Sequence, residues 1–386
     1  MNNRSSLKCI PFKLSRVRFV SEREAQNYQL IVTGSWFEEV NRICLWQYGI
    51  GSDIDSGNIQ PISENEDCTY AGVKGDCVDD PRLLCSLIHK GSIQELKVHH
   101  RSQLIFSASS DGTLRLFQAD DDVQPYLTRL TANDWMPFGQ DVLCGHLSTT
   151  LSCLALSPHC TCAYVSNDYG RLAAVDVNRI PGFHDSTPAR NRKDAVFILG
   201  SNSCTVNALQ HVDNSTLATV DQLGQLALWD LRTGSEKPQR RYIRPEDNQA
   251  LLCIAQHPGQ PHILCVGGFR SSDSAAYIWD TRAEEYPLTS IDCDGEVIWE
   301  TAFHPRQPKH LYMATETAGL IRISSGHKSN SWVYNKRSRR KLTISSALPK
   351  GTETTSVTSF DISNTLLICS NSEDILQTFP CDVPLF

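Results

Sequence analysis

Apolar residues in this chain recur at every second position, in short runs that open at a glycine or turn and close on a bulky side chain. NRICLW (ending at Trp46), GTLRLF (Phe117), GRLAAV (Val175), GQLALW (Trp229) and SAAYIW (Trp279) are the clearest, with GLIRIS (Ser324) and DILQTF (Phe379) as weaker copies. A period of two is the mark of a strand with one buried face, and a leading glycine marks a tight hairpin. Upstream of each run lies a second apolar strand, such as LIVTGSW (30–36), LIFSASS (104–110), TLATVDQ (216–222) and ILCVGGF (263–269). A third precedes that one, as in KLSRVRFV, LSCLALSP and VIWETAFHP. Three of these run into proline turns at Pro158, Pro258 and Pro305, where proline fixes φ for a turn and cannot continue a central strand. Further strand-like pieces, LLCSLIHK (83–90) and AVFILGS (195–201), sit between units. Helix-period patterns are nearly absent.

Seven units of four strands predict an all-β fold, a seven-bladed β-propeller, the radial arrangement that leaves only short sheet edges. The last unit is one outer strand short, because the sequence stops at DVPLF, while LKCIPF (7–12) is an unassigned strand at the start. That N-terminal strand is expected to complete the last blade and close the ring, since an open ring would expose two raw edges. Residues 1–386 read as one propeller with surface insertions at 49–81, 119–141, 178–194 and 325–341. The first insertion is acidic (Asp53, Asp55, Glu64, Glu66, Asp67). A basic run, Lys336 to Lys341, reads as an import signal, an anion contact or a solvated loop.

With 36 Lys+Arg against 43 Asp+Glu the formal charge is −7, which disfavours direct nucleic-acid binding because phosphates require a basic face. No apolar run approaches the roughly 20 residues that span a bilayer, so membrane insertion is not expected. The start, MNNRSSLKCI, lacks the apolar stretch of a secretory signal. The 15 cysteines are scattered singly through apolar runs without CxxC spacing, as expected of small buried hydrophobes rather than zinc ligands or disulfides. There is no P-loop, G-x-S-x-G elbow or H-E-x-x-H. His257 and His304 each precede a proline and read as turn residues. These observations give no catalytic residue, no cofactor, no metal site and no small-molecule substrate.

Two units end in Trp229-Asp230 and Trp279-Asp280, and Gly145-His146 lies ahead of an inner strand. In these residues the chain resembles the WD40-repeat family. The resemblance implies that a GH histidine, a turn aspartate, a strand serine and the tryptophan share a buried hydrogen-bond network, of which only parts survive here. Trp-Asp-x-Arg occurs twice, ending at Arg232 and Arg282. It resembles a motif by which some WD40 proteins dock to a cullin-4 ubiquitin-ligase adaptor, and the same residues also brace a blade. Trp36-Phe37 at a hairpin tip and Trp299 near the start of an inner strand are candidate protein-interface residues. Large aromatics at turns serve either as anchors or as blade packing.

Longer stretches carry a closer resemblance: TGSW (33–36), LLCSLIHKGSIQEL (83–96), LGQLALWDLR (223–232), VIWETAFHPRQPKHLY (297–312) and SSALPKGTETTSVTSFDI (345–362). In these, and over essentially its whole length, the chain resembles the small WD40-repeat nucleoporins of the Y-shaped scaffold complex of the nuclear pore. The acidic 49–81 segment and the basic run depart from that pattern. The resemblance implies a non-enzymatic scaffold at the nuclear envelope, bound to a helical-solenoid nucleoporin and other Y-complex subunits. It also implies support of pore assembly, mRNA export and protein import, with a kinetochore visit in mitosis. A single FG dipeptide, Phe138-Gly139, agrees with a scaffold rather than a permeability-barrier role. The alternatives are a substrate receptor of a cullin-4 ligase and a chromatin-reading propeller.

Overall fold

The computed structural model describes residues 6–20, 28–49, 68–69, 80–120, 126–130, 136–139, 150–180, 195–202, 204–233, 236–242, 250–269, 275–282, 286–294, 296–325, 332, 342–348 and 356–381. Their strands form seven antiparallel sheets. Among the described residues the helical structure is one 3-10 turn, Val177–Arg179. Each sheet is a blade with an innermost strand: Leu14–Phe19, Ile93–His99, Leu151–Leu156, Val206–Asp213, Ala250–Gln256, Ile298–Phe303 and Val357–Ile362, numbered here as blades 1 to 7. Each inner strand packs on the next, and the seventh returns to the first.

The closure expected from the sequence is present. Ser6–Cys9 pairs antiparallel with Ile375–Pro380 and becomes the outer strand of blade 7. The pairing stops at Cys9, after which Ile10 donates its N–H to the Asp374 carbonyl and turns the chain into blade 1. Seven hydrophobic clusters fill the seven gaps between adjacent blades. The cluster at the seam joins Ile10, Leu14, Val17 and Phe19 to Ile368 and Leu376, so this gap is packed like the others. The glycines that open the third strands, Gly112, Gly170, Gly224 and Gly319, all have positive φ. At Gly170 an added Cβ would also collide with the Cys204 carbonyl.

Cross-strand register supplies an acceptor for two of the closing tryptophans. Trp46 Nε1 donates to Thr33 Oγ1 at 2.9 Å and Trp229 Nε1 to Thr219 Oγ1 at 3.1 Å. Each threonine lies two positions beyond the residue paired with its tryptophan, on the neighbouring strand. The residues two positions beyond the partners of Val175, Ile323 and Phe379 are Val165, Met313 and Cys369, and those runs close on side chains that need no acceptor. Trp279 is the mixed case. It pairs with Leu264 and has Val266 at the acceptor position, its indole N–H is unpartnered, and it is held by ring contact with Tyr242 at 5.1 Å.

Two insertion boundaries change. Tyr126–Arg129, inside 119–141, is the outer strand of blade 2, a piece too short for its alternation to stand out in the sequence. Cys68–Thr69, inside 49–81, adds a fifth strand to the outer edge of blade 1. From the 325–341 segment Trp332 is buried against Phe303, donating its indole N–H to the Pro308 carbonyl at 2.7 Å. Most of the rest of these segments and of 178–194, with Lys336 to Lys341, lies outside the described residues.

Trp229→Ala is expected to cost roughly 3–5 kcal/mol in urea unfolding, whereas Thr219→Val costs about 1 kcal/mol by removing only the hydrogen bond. Equal losses would contradict the register. Deleting residues 1–9 should lower the melting temperature and promote aggregation, because the edge of Ile375–Pro380 is then bare. An unchanged melting temperature would mean that this strand does not hold the ring.

Candidate protein-docking face

The inner strands share a distortion. Each has a register shift near its start, leaving Ser15, Gln94, Ser152, Asn207, Leu252, Trp299 and Thr358 as the extra residues. A bulge re-aims a side chain and raises local twist, here at one mouth of the central channel, seven times over. Antiparallel pairing puts the hairpins between second and third strands on that same face. Trp36, Phe37 and Trp299 therefore lie on one face of the ring, as the sequence alone does not reveal.

Phe37 is the most distorted of the three. Its φ is 53°, a left-handed value that a bulky residue adopts only when its surroundings hold it there. Its N–H donates to Ser92 Oγ at 3.0 Å, and the Trp36 and Phe37 rings lie 4.9 Å apart. The loop is tied down at Glu38, which accepts from the Lys13 N–H at 2.8 Å. The result is an aromatic ring 72% exposed on a fixed loop. Trp299 is 39% exposed, while its neighbours Ile298 and Glu300 point into the packing and the channel. Val40, Tyr169, Leu223 and Phe269 are also exposed on this face. Among the described residues, exposed carboxylates surround them (Glu39, Asp168, Asp294, Glu316, Glu373), against fewer exposed cations (Lys13, Lys90, Arg171). The opposite face is built of polar turns. There His257 Nδ1 accepts from the Gly259 N–H, and His304 Nδ1 from the N–H groups of Arg306 and Gln307.

The hairpins are pinned by side chains that accept backbone N–H groups. Asp111 accepts from Thr113, Asn167 from Arg171, Asp221 from Leu223 and Gln225, and Asn371 from Glu373 and Ile375. In blade 2 this extends into the network the WD40 resemblance implies. His89 bonds Ser107 Oγ at 2.8 Å, and Arg115 spans the Lys90 carbonyl and Asp111. Phe117 stands at the tryptophan position. Sequence reading missed His89 because isoleucine precedes it; Gly145-His146, the dipeptide it favoured, lies outside the described residues. In blade 4 Asn202 reaches Asp221 instead, at 2.7 Å.

Beneath the bulges a charge cluster crosses the channel. Arg18 of blade 1 binds Glu300 of blade 6 at 2.6 Å, Glu95 of blade 2 at 3.0 Å, and the Ser359 hydroxyl and Phe360 carbonyl of blade 7. Glu300 also accepts from Ser359 Oγ and the Phe360 N–H. Burial opposes the Arg18 charge, but Glu300, Glu95 and Asp361 outweigh it and raise its pKa. Burial pushes Glu95 upward, while Lys97, Arg16 and Arg18 together bring it down to about 2. This cluster is internally neutralised and braces the ring.

The remaining chemical candidates are accounted for locally. Arg232 and Arg282 fork back onto Asp230 and Asp280 of their own motifs, while Trp229 and Trp279 are buried. Burial pushes the thiols of Cys44, Cys153, Cys253 and Cys369 up to about 12. Among the described residues no cluster of His, Cys, Asp and Glu has the makings of a metal site.

Seven blades, one of which carries a histidine–serine–aspartate network, define a WD40-type β-propeller that presents an apolar, acid-rimmed loop face. The WD domain, G-beta repeat family matches residues 82–118, the span that contains His89, Ser107 and Asp111. Nucleoporin Nup43 of Mus musculus is 25% identical over 96% of this chain and 96% of its own length. Nucleoporin Nup43 of Homo sapiens is 26% identical over 81% of this chain and 74% of its own. Similarity of this extent, with the WD40 repeat, supports a WD40 nucleoporin. Among solved structures, a chain of the mitotic checkpoint complex shares the fold with a TM-score of 0.61, covering 98% of this chain and 92% of that one at 14% identity.

Removing Arg18 leaves buried carboxylates without their cation, so Arg18→Ala should cost about 3–5 kcal/mol. Pairing Arg18→Met with Glu300→Gln should recover part of that loss in a double-mutant cycle; simple additivity would exclude coupling.

Stability should also fall in acid. Burial, with Arg115, lowers His89 to about 3, so below 6.5 the unfolded chain takes up a proton that the folded one refuses. That contribution is full above pH 6.5 and shrinks towards pH 3. Glu95 adds a loss between 4.5 and about 2, as its depressed pKa is reached. Urea titrations of His89→Gln should show a shallower slope between pH 6.5 and 4.5; an unaltered slope would remove His89 from this account.

Proposed function

We propose that this chain is a non-enzymatic scaffold subunit of the nuclear pore Y complex. It docks through the bulge-bearing loop face onto a helical-solenoid nucleoporin, and supports pore assembly, mRNA export and protein import. Its place is the nuclear pore at the nuclear envelope, with a mitotic pool at kinetochores. The observation that carries the reading is the fixed, exposed Phe37, on the same face as Trp36 and the bulged Trp299. Preorganised aromatics of this kind dominate interface energies, because little entropy is lost when they are covered. The acidic rim favours a partner whose apolar helical surface is flanked by lysine and arginine, and Trp299 offers such cations a ring face. Catalysis, a cofactor and direct nucleic-acid contact play no part in this role.

Phe37→Ala and Trp299→Ala should each weaken binding to the Y-complex partner by about 2 kcal/mol, roughly thirtyfold, with little change in melting temperature. The combined variant should lose its nuclear-rim signal. Arg232→Ala and Arg282→Ala should leave that signal intact. A tagged chain that misses the envelope yet co-purifies with the cullin-4 adaptor through those arginines would replace this proposal with the ligase reading.

A further inference from the structure

Each blade ends in an outer strand whose far side is a raw edge, and the molecule blunts these edges unequally. Ser6–Cys9 is short and carries Lys8; Tyr126–Arg129 is short and ends on Arg129; Arg240–Tyr242 has two arginines in three residues. Thr289–Asp292 carries Asp292, Leu342–Ser346 is rich in hydroxyls, and Arg82–Ile88 is partly covered by Cys68–Thr69. Short length, charge and coverage are the usual defences against edge pairing. Among the described residues blade 3 lacks all three, and its one irregularity, a bulge at Leu199, falls beyond the Val196–Ile198 stretch. Its outer strand, Val196–Ser201, reads VFILGS, without a charge, and Phe197 and Ile198 are 55% and 60% exposed. No described strand lies beyond it.

We propose that Val196–Ser201 is a self-association edge, whose occupant is the same strand of a second copy, antiparallel about a two-fold axis at Phe197. Three features fit that partner. Val196, Phe197 and Ile198 pair with Val175, Ala174 and Ala173, and the Asp176 N–H donates to the Ala195 carbonyl. Antiparallel alternation then turns the main-chain N–H and C=O of Val196 and Ile198 outward, where they are spaced to pair with another antiparallel strand. In the two-fold arrangement Val196 faces Ile198 of the second copy, and Phe197 faces its counterpart at a close, non-hydrogen-bonded position. Such aromatic and β-branched cross-strand pairs are favourable, and no like charges meet. The fold already takes an added strand on an outer edge, at Cys68–Thr69 in blade 1. Two convex rims touch only where the blades meet, so the contact is smaller than the ~1,200 Å² of a stable interface and the dimer is weak. The edge lies on the outer rim, away from the docking face, so the proposal stands apart from the function proposed above.

Sedimentation velocity of the full chain, from about 1 to about 100 µM, should show a reversible monomer–dimer equilibrium. Salt should strengthen it by screening the −7 charge on each copy. Ile198→Lys should weaken dimerisation at least ~tenfold with an unchanged melting temperature, because the side chain is exposed. Phe197→Cys should give a disulfide-linked dimer under mild oxidation, since facing residues at that position fall within disulfide reach. The wild-type chain, with the same native cysteines, should not. A chain that stays monomeric throughout overturns the proposal. So does a dimer indifferent to Ile198→Lys, or one that Phe197→Cys does not cross-link, or irreversible aggregation in place of a dimer.

Discussion

Ring closure is the constraint on which the rest of this molecule depends. A propeller is stable only if its first and last blades meet, and here three kinds of interaction converge on that seam. The backbone contributes Ser6–Cys9, laid against Ile375–Pro380. Apolar packing contributes the cluster from Ile10 to Leu376. Arg18 contributes a buried guanidinium shared among blades 1, 2, 6 and 7. A buried ion cluster is a weak source of net stability, because desolvation offsets most of the attraction. It does discriminate strongly against arrangements that separate its members, and so fixes how the closing blades sit across the channel.

A closed ring turns seven local irregularities into one surface. A single bulge at the start of a strand would merely redirect one side chain. Repeated in every inner strand, it lines the channel mouth with seven side chains. The hairpins around them are held by Asp and Asn caps and, in blade 2, by His89 and Arg115. Rigidity of this kind keeps Phe37 and Trp299 in water at little entropic loss on binding, which suits a part that other folded proteins assemble upon.

Much of the fold was legible in the chain. Alternation of period two gave the strands, the glycines opening third strands gave the hairpins, and the missing last strand pointed to LKCIPF (7–12), of which the structure pairs the first part, in Ser6–Cys9. The outer strands were the least legible, with Tyr126–Arg129 placed inside an insertion, because an edge strand half in water needs no strict alternation. Of the candidate interface residues, the sequence offered Trp36, Phe37 and Trp299 as either anchors or packing. The left-handed φ at Phe37 and the bulge at Trp299, which sequence does not reveal, are the structural features that support the anchor reading proposed above.

The sequence by itself determined what is local: strand, turn, the tryptophans that close the third strands, and the scatter of cysteines through apolar runs. These follow from side-chain periodicity. Tertiary structure alone decided what depends on residues far apart in the chain. It brought Arg18 to Glu300 and Ser359, gathered the exposed aromatics onto one face, and left Val196–Ser201 as the unguarded rim. None of these has a period or a spacing to read, because each arises only when the seventh blade is carried round to the first.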